Sequence, residues 1–176
     1  MNLNTLLQRL PSLSVADRAQ LRANCERWLA SGTAEQKTAA EAVFEALAAQ
    51  EQADAANLYE RLKDQPLSHR VVEAFRVAPT SENERKTIQA LLDNPGASST
   101  ELSRACGHDS MIWQMHFGNL CKEREARLWP APKAETREGH FYSGILADID
   151  PETNRFTMRP EAVAAFAELG LKARAR

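Results

Sequence analysis

Between Asn2 and Lys63 only Pro11 and Gly32 can break a helix, and almost no run of β-branched or aromatic residues favours a strand. So Ala-rich a stretch has little choice but to form helices. Leu3, Leu6, Leu7 and Leu10 mark a short amphipathic segment that must stop before Pro11. Ser14 is placed to cap a second helix, with Asp17 in its first turn; Leu21, Cys25, Trp28 and Leu29 line one face until Gly32 ends it. Thr33 and Gln36 have the spacing of a capping box for a third, longer helix, whose apolar members are Val43, Phe44, Leu47, Leu58, Tyr59 and Leu62. The expectation is a helical hairpin or bundle that packs against the rest of the protein or against a second copy. No catalytic grouping lies in it.

Residues Pro66 to Phe75 predict one more helix, and Val77-Ala78-Pro79-Thr80-Ser81 a hinge, because Pro79 disfavours helix at Ala78 while Ser81 suits a cap. The expected division is therefore 1–78, a helical association region, and 79–176, a second module. In that module Glu82 to Leu92 predicts a helix with Ile88, Leu91 and Leu92 on one side, ended by Asp93-Asn94-Pro95-Gly96. Ser98 to His108 predicts a short capped helix closing at Gly107, and Met111 to about Leu128 a longer one. Phe141 to Ile149 alternates like a strand, Asp150-Pro151-Glu152-Thr153-Asn154 is a turn, and Arg155 to Met158 can return as its partner. Pro160 then opens a last helix with Val163, Phe166 and Leu169 inward and Gly170 at its end. The fold class expected is mainly α: an N-terminal helical hairpin or bundle, then an α+β module with a β-hairpin and a C-terminal helix.

Hydrophobic content of 43% with 26% charged residues belongs to a globular chain, and no apolar run is long enough to span a bilayer. The start of the chain lacks the pattern of a secretory signal, so the cytoplasm is the expected location and no membrane contact is expected. Three cysteines cannot build a disulfide framework. Seven glycines form no phosphate loop, and no nucleophile elbow occurs, so neither an enzyme nor a cofactor is expected. Cys106, His108, His116 and Cys121 are four potential zinc ligands within sixteen residues, but Cys-x-His followed by His-x4-Cys is not a usual zinc knuckle, and no metal is expected.

The order of helix, short helix, Gly turn, longer helix and hairpin over residues 82–158 resembles winged helix-turn-helix domains. Met115-His116-Phe117-Gly118-Asn119-Leu120-Cys121-Lys122 is similar to the aromatic-Gly-x-Leu-x-basic string of helical modules that precede HNH nuclease domains. No His-rich ββα-metal motif follows, so that likeness implies an accessory nucleic-acid-binding element only. Together the resemblances imply a DNA-binding protein, a transcriptional or genome-maintenance accessory factor that uses helix 111–128 and the wing 141–158.

Helical stepping from Ile112 puts Trp113, Phe117, Leu120 and Leu128 on a core stripe. The opposite side carries Met111, Gln114, Met115, Gly118, Asn119 and Lys122; amides can pair with adenine edges, a glycine allows close approach, and a lysine can meet phosphate. Arg124, Arg127, Lys133, Arg137 and His140 continue as a loosely basic string interrupted by Glu123, Glu125, Glu135 and Glu138, and Arg155 and Arg159 flank the hairpin. The DNA-binding candidates are Gln114, Met115, Gly118, Asn119, Lys122, Arg124, Arg127, Arg137 and Arg155. Residues 79–176 hold 13 Lys or Arg against 14 Asp or Glu, and the whole chain has a formal net charge of −2, so any DNA contact must be local. The same balance suits an alternative, a protein-interaction adaptor of winged-helix shape that does not touch DNA. The expected partners are DNA and, through the N-terminal helices, a second copy or another protein.

Overall fold

The computed structural model describes residues 3–134 and 138–174. The chain is mainly helical, with one small antiparallel sheet, and forms two compact units that divide between Leu58 and Tyr59.

In the first unit, helix α1 (Leu3–Arg9) tightens into a single 3-10 turn at Leu10–Ser12, where Pro11 cannot extend an α-helix. Ser14 accepts a hydrogen bond from the Asp17 amide at 3.1 Å and starts α2 (Val15–Ser31), and Gly32 ends it. Thr33 and Gln36 cap α3 (Ala34–Leu62) reciprocally, with backbone-to-side-chain distances of 2.9 and 3.3 Å. Leu10, Cys25, Ala40, Val43 and Leu47 are buried, and Leu3, Leu6, Leu7, Leu21, Trp28 and Phe44 are partly buried around them. Leu29, expected on the inner face, is exposed. Arg18 pairs with Asp54 and Arg22 with Glu51, fixing α2 antiparallel to α3. The expected helical hairpin is thus present.

The end of α3 belongs to the second unit: the Tyr59 ring lies 5.1 Å from that of Trp129, and Arg61 pairs with Glu73. Next come α4 (Leu67–Val77), α5 (Glu82–Asp93), β1 (Ala97–Ser98), α6 (Ser99–Ala105), α7 (Trp113–Glu123), the short α8 (Glu125–Leu128), β2 (Ala147–Asp150), β3 (Arg155–Met158) and α9 (Pro160–Glu168). The sheet order is β1-β3-β2, with Ala97 opposite Phe156 and Ala147 opposite Met158. The division precedes Tyr59 rather than lying near residue 79, because Val71, Val72, Ala74 and Phe75 of α4 are buried in the same core as Ile88, Leu91, Trp113 and Phe166. Pro79 is a bend inside this unit.

Three other expectations are corrected. The helix expected from Met111 to Leu128 is broken at Arg124, where φ −108° and ψ 12° leave the helical region. The strand expected over 141–149 is confined to β2, and Tyr142–Ile145 forms a 3-10 turn. Residues 143–147 are all buried, so they cannot alternate as a half-exposed strand does. A Cβ on Gly144 would lie 2.6 Å from both Phe141 and Pro132, so only glycine lets this turn close. Val163 points outward, and Ala162, Ala165 and Phe166 form the inner face of α9.

Arg124 breaks the helix because its side chain turns inward. Only 3% of that side chain is exposed. Its Nε donates to the Ala78 carbonyl at 3.0 Å, and Nη1 donates to Glu84 Oε1 at 2.6 Å and to the Leu120 carbonyl at 3.0 Å. The guanidinium lies 4.5 Å from the centre of the Phe75 ring. Burial alone would push the Glu84 carboxyl up; hydrogen bonds from Arg124 and Ser81 outweigh it and hold the carboxyl below the usual glutamate range. Arg124→Ala should destabilise the fold by about 3–5 kcal/mol, since it leaves a half-buried carboxylate unpaired. The folded carboxyl titrates below the unfolded one, so its contribution is complete above the ordinary glutamate value and fades as pH falls through the lowered folded value. Urea unfolding of the native protein should show this acid loss, and Glu84→Gln should reduce the slope; equal slopes would refute the assignment.

Candidate nucleic-acid interface

Helix α7 has no capping residue of its own. The amides of Ile112 and Trp113 instead donate to Ser103 Oγ of α6 at 3.1 and 3.0 Å, and Ser103 donates to the Ser99 carbonyl at 2.8 Å. One buried hydroxyl therefore accepts from two amides at the start of α7, of which that of Ile112 also donates to the Ser110 carbonyl at 2.9 Å, and ties α6 to α7. Gly107, at φ +82°, makes the left-handed turn that lets the chain reverse there.

The rotation of α7 about its axis is fixed by Trp113. Its indole Nε1 donates to the Thr87 carbonyl at 2.9 Å, and its ring stacks on Phe117 at 4.8 Å and meets Phe156 edge-on at 5.1 Å. Trp113, Phe117, Leu120 and Leu128 are buried as the stripe predicted, and Cys121 joins them with its thiol pushed far up by burial. Gln114, Met115, Asn119 and Lys122 consequently face outward.

The nine candidates therefore separate. Gln114, Met115, Asn119 and Lys122 share the exposed face of α7. Gly118 is half-buried and faces the 142–145 turn, where a Cβ would make an ordinary 3.4 Å contact with Ser143 Oγ, so it does not open an outward approach. Arg124 is buried in the internal cluster and is corrected from a surface contact to a structural one. Arg127 Nε is 3.4 Å from Glu73 Oε1. Arg155 donates to the Gly96 carbonyl at 2.7 Å and lies 3.3 Å from Glu101 Oε2, bracing β3 against the start of α6. Arg137 lies outside the described residues.

The positioning residues Ser103, Ser99, Thr87 and Ser143 were not singled out by sequence reasoning. The available signal was weak: a serine four residues after another within a helix can bond back to the preceding turn, as Ser103 does.

Cys106 donates to the Lys86 carbonyl at 3.7 Å, His108 and His116 stack with centroids 5.8 Å apart at the exposed start of α7, and Cys121 lies in the core. Among the described residues no three metal-ligating side chains converge, and no helix is long and apolar enough to cross a membrane. The β2–β3 turn is acidic: Asp150 accepts from the Thr153 hydroxyl at 2.6 Å and the Glu152 amide at 2.9 Å, which hold its carboxyl below the usual range, and Asp148 pairs with Arg159.

Compared with protein-family models, curated proteins and solved structures, the chain matches none.

Ser103→Ala should lower stability by about 1–3 kcal/mol, because the Trp113 amide loses its acceptor and the Ile112 amide one of two. Gln114→Ala should change it by less than about 0.5 kcal/mol. Chemical denaturation of both variants checks the pair, and equal effects would contradict the division of roles.

Proposed function

We propose that residues 82–158 are a winged helix that binds duplex DNA with α7 in the major groove. The reading is supported by the succession α5, β1, α6, α7, β2, β3 with sheet order β1-β3-β2, which sets two helices joined by a tight turn beside a hairpin. The observation that carries it is the outward row of Gln114, Asn119 and Lys122 on a helix whose rotation is locked by Trp113. Two amides and one ammonium on a rigid face are chemistry suited to adenine edges and a phosphate.

A second reading, an adaptor that docks another protein on the same face, is favoured by Met111 and Met115, which are 70% and 55% exposed. Flexible thioethers suit an apolar partner surface. Anisotropy titration of labelled duplex over a range of salt separates the two. DNA binding predicts a steep loss of affinity with salt. It also predicts that Gln114→Ala or Asn119→Ala weakens preferred sites by about 1–3 kcal/mol, while Lys122→Ala weakens all duplexes alike. Absence of binding at low salt leaves the adaptor.

The first unit is proposed to mediate self-association. Its support is that, among the described residues, five apolar side chains are fully buried there, while Leu3, Leu6, Leu7, Leu21, Trp28 and Phe44 remain partly open. Sedimentation equilibrium of the full chain should show a concentration-dependent dimer or larger species; a monomer at all concentrations would refute it.

A further inference from the structure

Residues 131–134 and 138–141 run antiparallel to each other and form a paired hairpin base. Lys133 and His140 form an antiparallel bridge, the Ala134 amide donates to the Gly139 carbonyl at 3.0 Å, and the Phe141 amide donates to the Pro132 carbonyl at 2.7 Å. His140 Nδ1 contacts the Ala131 carbonyl at 3.2 Å. This base is seated firmly: Pro132 and Phe141 close over Gly144, and the turn containing Gly144 packs through Ser143 on Gly118 of α7. The hairpin base is therefore continuous with the border of the exposed α7 face.

Two of the side chains there, Lys122 and His140, lie beside one ring, and Lys133 pairs with His140 across the bridge. Lys122 Nζ lies 5.8 Å from the centre of the Tyr142 ring, the His140 ring lies 6.0 Å from it, and Lys133 is the cross-strand neighbour of His140. Lys122, Lys133 and His140 are exposed, and among the described residues neither lysine is in an ion pair. By contrast Arg124, Arg127, Arg155, Arg159 and Arg174 each face a carboxylate. Among the described residues three carboxylates belong to this neighbourhood: Glu123 next to Lys122, Glu125 near Tyr142, and the exposed Glu138. The β2–β3 turn offers a phosphate far worse surroundings, since Asp148, Asp150 and Glu152 are all exposed there.

We propose that Lys122, beside Tyr142, and Lys133, across from His140 in the paired base of residues 131–134 and 138–141, form the contact for the DNA strand's phosphates, and that the β2–β3 hairpin does not. This rests on the reading of α7 as a DNA-binding helix. The lysines act as point charges that displace counterions, so they add affinity without sequence preference. Tyr142 is a positioning residue whose ring sets the distance between the α7 edge and the hairpin.

The test is a salt-dependent anisotropy titration of the full chain with a random-sequence duplex. Lys133→Gln should weaken binding about three- to tenfold and reduce the salt slope by about one, and Lys122→Gln with Lys133→Gln should reduce it by about two. Lys133→Arg should keep the native slope, and Glu152→Gln should keep the native affinity within about twofold. If the native protein binds DNA but Lys133→Gln and the double variant leave the slope unchanged, the placement is wrong while the DNA reading stands. If Glu152→Gln alters binding more than Lys133→Gln does, the strand runs along the β2–β3 hairpin and the placement is likewise wrong. If the native protein binds no duplex at low salt, the DNA reading itself fails and the placement with it.

Discussion

The second unit is organised around the buried Arg124 guanidinium. It is held by acceptors from three places in the chain: the α4–α5 bend at Ala78, Glu84 in the first turn of α5, and the Leu120 carbonyl of α7. Taking a guanidinium out of water is costly, and a single carboxylate rarely offsets it. Here carbonyls and the Phe75 face complete the partner set, so the charge is satisfied only when α4, α5 and α7 are all in place. The arrangement also explains the break after Glu123. An arginine on a straight continuation of α7 would not leave the helical region as Arg124 does, and α8 must restart at Glu125 so that Leu128 can still reach the core.

With α7 pinned at its C-terminal end by Arg124 and at its N-terminal end by Ser103, Trp113 has only to choose its rotation. The indole–Thr87 hydrogen bond makes that choice, because a buried N–H needs a partner and the backbone of α5 supplies it. Which residues of α7 face solvent then follows from the helical repeat. Gln114, Gly118 and Lys122, four apart, form the border with the 142–145 turn, and Met115 and Asn119 lie beside that border.

Local chemistry was legible in the sequence wherever one interaction spans three or four residues. The caps at Ser14, Thr33, Ser81 and Ser98 and the stripe Trp113-Phe117-Leu120 were all within reach of spacing arguments. Long-range placements were not. Arg124 sits in a run of alternating charges, and such a run usually marks a solvated helix face; nothing local reveals that Ala78, forty-six residues earlier, accepts from it. Strand β1 is two residues long, too short for any periodicity, and exists only because β3 offers it a partner. The division before Tyr59 was hidden by helical continuity, since α3 runs through it without a breaker.

The fate of the basic residues links folding to the proposed recognition. From Tyr59 onward the chain has 17 Lys or Arg and 17 Asp or Glu, so a duplex approaching this unit meets no long-range attractive field. Several arginines enter ion pairs that brace neighbouring elements: Arg127 to α4, Arg155 to α6, Arg159 to β2. Planar guanidinium groups are suited to such bracing because they can satisfy a carboxylate and a carbonyl together, as Arg155 does with Glu101 and Gly96. Lysine, a compact and strongly hydrated charge, gains less from that role. Among the described residues Lys122 and Lys133 are cations that folding leaves exposed and outside ion pairs, and attraction confined to two such charges acts only within about a Debye length, near 10 Å. On the proposed reading, association is then weakly steered, and the affinity comes after contact, from the groove-facing amides and the hairpin phosphates together.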